Sequence, residues 1–170
     1  MRKQTANEPF VDLVYEHQGI LQRICSVYAS SRDDREDLLQ EILLQSWRSF
    51  ASFNGQSKFL TWLYRVALNT ALLHRRRRAG KRALAVQSCA GVDIVVNERP
   101  GRDSDVALLH QCIQELPDVN RAIILLHLER RTYEEIAEIT GLSQANVSVR
   151  LVRIKKDLRQ RMLEKGYCEG

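Results

Sequence analysis

Asn146, Arg150, Arg153 and Lys156 lie within "YEEIAEITGLSQANVSVRLVRIKK", residues 133–156. Side chains of this kind read nucleic acid rather than transform a small molecule. Asparagine can bond adenine edges, arginine can bond guanine or phosphate, and small apolar groups can touch thymine methyls. At roughly 100° per residue, Val147, Leu151, Ile154 and Leu158 form one apolar stripe. Ala145, Asn146, Val149, Val152, Arg153 and Lys156 fall on the opposite side. Two valines facing away from an apolar stripe are explained if they meet bases instead of water. Scattered exposed valines are common, so a protein-binding face or a plain helical hairpin is the alternative. The basic flank favours DNA.

A second constellation lies upstream. Leu60, Leu63, Ala67 and Ala71 line one side of a helical pattern, and Trp62, Arg65, Asn69 and Arg76 line the other. An aromatic ring beside cations is a platform for an unstacked base; the other reading of Trp62 is packing against a second helix. The run "HRRRRAGKR" at 74–82 adds Arg75 to Arg78, which can serve a strand backbone or simply favour a helix end. Charge reverses in "DDREDLLQE" at 33–41. Glu36, Asp37 and Glu41, with Gln40 and Gln45, make a face suited to a basic protein partner or an ordinary solvated one.

Catalytic patterns are missing: no glycine-rich phosphate loop, no HExxH and no GxSxG. His17, His74, His110 and His127 are scattered and fit structural roles. Cys25, Cys89, Cys112 and Cys168 contain no CxxC pair, so free thiols are expected in a reducing compartment. His110 and Cys112 lie close together but lack a second pair at ligand spacing, so no metal is expected, and no cofactor. The 170 residues carry a net charge of +5, a pI near 9.2 and 44% hydrophobic residues. That composition supports a packed core and an anionic partner. No run approaches the roughly 18 apolar residues of a membrane span. "MRKQTANEPF" lacks a signal-peptide stretch, and a cytoplasmic protein is expected.

The elements that must carry these groups are all helical. Phe10, Leu13, Val14, His17, Leu21, Ile24 and Tyr28 predict a first helix of about two dozen residues. Asp33 with Glu36 predicts a capping box for a second helix bearing Leu39, Ile42, Leu43, Ser46, Trp47 and Phe50. "ASFNGQS" reads as a loop, and Ser57 as the cap of a third helix. Residues 79–103 hold Gly80, Gly91, Pro100 and Gly101 without a sustained period and read as a linker. "VDIVV" within it has no partner strand. One helix is then expected near 104–115 and another after Pro117. A short helix follows, with a Thr132–Glu135 capping box and a Gly141 αL stop. The last helix is capped by Ser143. A short helix, a glycine turn and a longer helix is helix-turn-helix arithmetic. The fold expected is all-α, in two small domains at 1–78 and 104–170 joined by a flexible linker at 79–103.

Three segments together resemble the extracytoplasmic-function group of sigma factors, small sigma-70-type transcription initiation factors. "DREDLLQEILLQSWRSF" is similar to the family's clamp-docking segment. "FNGQSKFLTWLYRVALN" is similar to its promoter-melting, minus-ten-reading segment. "LPDVNRAIILLHLERRTYEEIAEITGLSQANVSVRLVRIKKDL" is similar to its minus-thirty-five-reading module. The resemblance implies a non-enzyme that binds core RNA polymerase, directs it to promoters and helps open the duplex. It implies polymerase contacts at Glu36, Asp37, Gln40 and Glu41. Single-strand contacts are implied at Asn54, Gly55, Gln56, Ser57, Lys58, Trp62, Arg65, Asn69, Arg75 and Arg76. Upstream-element contacts are implied at Gln144, Ala145, Asn146, Ser148, Val149, Arg150, Val152, Arg153 and Lys156. Ser148 departs from the family pattern, where a basic residue is frequent, which implies weaker contact and an altered promoter preference there. The resemblance further implies an anti-sigma partner and a monomer when free, with no small-molecule substrate. The rival readings are a dimeric helix-turn-helix regulator, which leaves the Trp62/Asn69 face unexplained, and a protein-only adaptor, which leaves the basic outward face unexplained.

Overall fold

The computed structural model describes residues 8–53, 55, 57–85 and 102–167. Among them the regular elements are all helices. The chain divides into two compact units, residues 1–87 and 88–170.

Unit 1 holds α1 (Glu8–Glu16), α2 (Gln18–Tyr28), α3 (Arg32–Phe50) and α4 (Phe59–Ala85). The single first helix expected from periodicity is two helices. The break falls at His17, whose N–H bonds the Val14 carbonyl in a tightened i→i−3 turn at 3.1 Å. Gly19, a weak helix former, lies just beyond, and the His17 ring stacks on Phe59, with centroids 5.8 Å apart. The turn keeps Phe10 and Val14 buried on one segment and Leu21, Ile24, Cys25 and Tyr28 on the next.

The cap of α3 also differs from expectation. Ser31, not Asp33, accepts the Asp34 N–H. Asp33 is an exposed first-turn acid, which still suits the positive end of the helix dipole. Asp34, Leu38, Ile42 and Ser46 form the buried edge of α3 at four-residue spacing, while Leu44 and Trp47 are exposed. The long helix α4 buries Leu63, Tyr64, Ala67, Leu68 and Ala71. Leu60, expected in the core, is only half-buried. Its first helical bond runs from the Trp62 N–H to the Lys58 carbonyl, so the chain enters α4 at Lys58 rather than at Ser57. The helix continues through the arginine run and Gly80 to Ala85, past the expected linker boundary. "VDIVV", Cys89 and Cys168 lie outside the described residues.

Unit 2 holds α5 (Arg102–Gln114), α6 (Asp118–Leu128), α7 (Tyr133–Thr140) and α8 (Gln144–Glu164). Pro117 occupies the N-cap position of α6. The run from Arg121 to Leu126 is buried on every side, which makes α6 the central helix. Arg121 is buried yet satisfied in part by carbonyls at the preceding helix end. Its Nη2 donates to the carbonyls of Gln114 and Leu116, placing a cation at the negative end of α5. Glu115 then ties the same corner to the end of α8 through Lys165 at 2.6 Å.

Candidate nucleic-acid and polymerase interfaces

The helix-turn-helix is built from its caps. Thr132 accepts the Glu135 N–H at 3.2 Å, and the Glu135 carboxylate accepts the Thr132 N–H at 2.9 Å. This reciprocal box starts α7. Gly141 stops it at φ 75°, the left-handed conformation where a side chain is strained. Ser143 accepts the Asn146 N–H at 3.3 Å and opens α8. Val147, Leu151, Ile154 and Leu158 are buried, which fixes the rotation of α8.

With that rotation set, Val149 is 51% and Val152 69% exposed. Gln144, Ala145, Asn146, Arg150, Arg153 and Lys156 are exposed with them, and Ser148 is half-buried at the edge. Arg150 is held sideways: its Nη1 donates to Asn120 Oδ1 of α6 at 3.1 Å. Asn120 went unnoticed in the sequence because nothing local links it to a residue thirty positions on.

On unit 1, Arg65, Asn69 and Arg76 share one exposed face of α4. Arg75 is half-buried. In the preceding loop Gly55 takes φ 73°, Lys58 is exposed and Ser57 half-buried. Asn54 and Gln56 lie outside the described residues. Trp62 is not a free platform. It is half-buried against Phe50, Phe53 and Phe59, with ring centroids 6.1, 5.2 and 5.4 Å away in edge-on or tilted arrangements. The packing reading holds for one side of the ring, and the rest of the half-buried side chain stays accessible. The spacing of Trp62 showed its outward direction, but the phenylalanines come from α3, the loop and the first turn of α4.

The acidic helix is divided as well. Glu36, Asp37 and Gln40 are exposed, Glu36 pairing within its helix to Arg32. Glu41 departs from this set. Its carboxylate turns onto α4, meeting His74 Nδ1 at 2.9 Å and Arg77 at 2.7 Å. About two turns earlier on α3, buried Asp34 meets His74 Nε2 at 2.8 Å and also pairs with Arg78. Ser30 donates to Asp34 from both its N–H and its hydroxyl, at 2.8 and 3.1 Å. Burial pushes the Asp34 carboxyl up, but the His74 and Ser30 bonds and the Arg78 charge outweigh it and hold it below the ordinary range. Burial likewise opposes charge on His74, and the two carboxylates outweigh it and raise its pKa. No sequence signal marked this network, whose partners lie thirty-three to forty-four positions apart.

The buried thiols are inert by the same physics. Burial pushes Cys25 up to about 12 and raises Cys112. Both are free, and among the described residues no histidine, cysteine and carboxylate group assembles at metal-binding distance. No helix among them is long and apolar enough to cross a membrane.

A four-helix unit with a cationic long helix, and a second unit closing in a helix-turn-helix, define a two-module helical DNA-binding protein. Comparison with known proteins places it further. Residues 13–81 match the model of sigma-70 region 2, and residues 107–158 match that of sigma-70 region 4. The RNA polymerase sigma-H factor of Pseudomonas aeruginosa is 32% identical over 158 residues, covering 85% of this chain and 80% of its own. The ECF RNA polymerase sigma-E factor of Haemophilus influenzae is 30% identical over 172 residues, covering 94% and 90%. Among solved structures, the fold is similar to the sigma factor RpoE in complex with the anti-sigma factor NepR from Bartonella quintana. That likeness has a TM-score of 0.74 and 21% identity, over 94% of this chain and 99% of that one. CnrH in complex with the cytosolic domain of CnrY gives 0.67 and 21%, over 95% and 91%. The chain belongs to the extracytoplasmic-function group of the sigma-70 family, and it is an RNA polymerase sigma factor.

Proposed function

We propose that the two units divide promoter recognition between duplex and single strand, with polymerase docking on α3. On this reading residues 1–78 form the docking and melting domain, 79–103 the linker and 104–170 the upstream-reading domain. The observation that carries it is the rotation of α8. Four buried apolar residues hold Val149 and Val152 outward among Ala145, Asn146, Arg153 and Lys156, a mixed apolar and polar face that fits a major groove. Gln144 and Ser148 flank it. Arg150, anchored to Asn120, suits a phosphate rather than a base edge.

Unit 1 takes the melted strand. Trp62 offers a rigid ring edge, Asn69 hydrogen bonds to a base accessible only once unpaired, and Arg65, Arg75, Arg76 and Lys58 the cations for the backbone. The loop 54–58 contributes next to it. Glu36, Asp37 and Gln40 supply the exposed docking face for core polymerase. The protein acts by binding energy and not as an enzyme, in the cytoplasm, and without a cofactor. An anti-sigma factor restrains it, a reading supported by the similar solved structure of the sigma factor RpoE, which is in complex with the anti-sigma factor NepR. When free it is a monomer.

The reading is tested on core polymerase itself. Asp37→Lys is expected to weaken binding of labelled protein to core enzyme while leaving helix content unchanged, because Asp37 is exposed. Full affinity in that variant rules α3 out as the docking helix. Run-off transcription over a promoter library with added core enzyme checks the promoter-directing role.

A further inference from the structure

Six cations crowd residues 75–82 in "RRRRAGKR", with Arg75 three positions from Arg78, and Arg77 four from Lys81. Like charges at these spacings face each other on a helix and oppose it. Packing does not compensate, since among the described residues no α4 side chain beyond Ala71 is buried. What sustains the helix there is the pair of carboxylates on α3. Asp34 takes Arg78 and one nitrogen of His74; Glu41 takes Arg77 and the other nitrogen. The histidine bridges the two acids and keeps each at a fixed place under the run.

We infer that Asp34 and Glu41 are specificity-determining residues that withhold Arg77 and Arg78 from nucleic acid, so that the arginine run presents Arg76 and its neighbours on the Asn69 face to the strand. The inference rests on reading unit 1 as the strand-capturing module, and it deepens that reading by naming which cations act. Each acid neutralises an arginine that would otherwise meet a phosphate. Asp34 is only 3% exposed and receives donors from Ser30, His74 and Arg78, so its partner is the more firmly held. Glu41 is 23% exposed and its arginine 66%, so Arg77 is the cation that a single substitution can release. A sigma factor benefits from such masking: two further unpaired arginines would strengthen binding to any polyanion, and binding driven by phosphates alone carries no sequence information.

The test is titration of the full chain with a labelled, mixed-sequence single-stranded DNA over a range of salt concentrations. Each cation that meets a phosphate contributes about 0.7 to the slope of log affinity against log salt on single strands. Arg76→Ala is expected to lose about that much. Arg77→Ala is expected to change little, its charge being already matched. Glu41→Gln is expected to steepen the slope by about 0.7 and tighten binding about fivefold near 0.1 M salt. Adding Arg77→Ala to Glu41→Gln is expected to remove the gain. Every protein is read at a temperature where its helical circular dichroism equals that of the unaltered chain. A loss at Arg76→Ala without a gain at Glu41→Gln overturns the masking alone. So does a gain that survives in the double variant, which would be relief of repulsion and not release of Arg77. Indifference to Arg76→Ala and Glu41→Gln alike, including no binding by any of the proteins, overturns the strand-binding reading and the masking with it.

Discussion

Strand capture can be separated from folding by comparing Asn69→Ala with Trp62→Ala. Asn69 is exposed on α4 between the buried Leu68 and Thr70. Removing its amide empties no core, and alanine is the better helix former by a few tenths of a kcal/mol. Trp62 is different, because three aromatic contacts within about 6 Å hold one side of its ring. Full burial would make its loss worth about 3–5 kcal/mol; at half burial, about 2 kcal/mol is expected. For a unit of this size that lowers the melting temperature by roughly 8–16 °C. The functional losses have another origin. One lost stacking contact costs about 1–3 kcal/mol, a roughly 5- to 150-fold loss of strand affinity. A lost hydrogen bond to a base costs about 1 kcal/mol. Both variants are expected to bind core polymerase, to fail at open-complex formation on duplex promoters, and to recover on templates opened beforehand by a mismatched bubble. Permanganate footprinting and transcript yield read the opening, and thermal circular dichroism reads the fold. Asn69→Ala is the deciding variant. If it opens duplex promoters normally while retaining its fold, this face of α4 does not hold the extruded base. A Trp62→Ala protein that unfolds globally at working temperature would assign that ring to packing alone.

Three further outcomes follow from the same geometry. Arg153→Ala is expected to lower promoter-duplex affinity and flatten its salt slope by about one counterion, whereas Val149→Ala acts at one or two base positions with the slope unchanged; binding isotherms at several salt concentrations on a set of point-altered promoters distinguish them, and identical slopes in both variants would refute base reading by α8. Thr132→Ala is expected to cost about 1 kcal/mol through loss of the capping box, seen as a lower denaturation midpoint for unit 2. His74, with its pKa raised, contributes stability that is complete below its ordinary 6.5 and disappears as pH rises through its folded value; Asp34, with its pKa lowered, contributes above its ordinary 3.8 and loses this as pH falls. His74→Gln is therefore expected to flatten the decline of unit 1 stability as pH rises above 6.5, and an unchanged decline would show that the bridge carries no linkage.

Short-range chemistry accounts for most of what could be read from the chain. The caps at Thr132 and Ser143, the αL stop at Gly141 and the buried stripe of α8 depend on neighbours within four residues, and all stand where their spacing puts them. The same holds for the outward valines. Expectation and structure part wherever a distant partner decides. Asp33 was a sound N-cap by local rules, yet Asp34 is drawn inward by His74 and Arg78, and the helix is capped by Ser31 instead. Periodicity carried the first helix through His17, but stacking on Phe59 accompanies a turn there. Gly80 argued for a linker, and an arginine run argued for a solvated end; α4 runs through both, with Arg77 and Arg78 held by carboxylates on α3. Glu41 shows the limit most clearly. Its spacing with Glu36 and Asp37 put it on the acidic face, and only the fold reveals its pairing with His74 and Arg77.

The energetics of opening then explain why a half-packed tryptophan suits this role better than an exposed one. Extruding a base costs a few kcal/mol of stacking and pairing, and a single new stacking contact returns about 1–3. The balance is close, so any ordering cost on the protein side decides whether the open strand is stable. A freely rotating tryptophan would lose side-chain entropy on capture, about 0.5–1.5 kcal/mol for an immobilised side chain. Phe50, Phe53 and Phe59 hold the Trp62 ring before any strand arrives, so that loss falls in folding and not in binding. On the proposed reading the base lies beside Asn69 and the cations of the same exposed face. On the division proposed above, contacts from α8 on duplex do not substitute for this, because they are made equally to closed and open promoters: α8 serves recruitment and unit 1 opening.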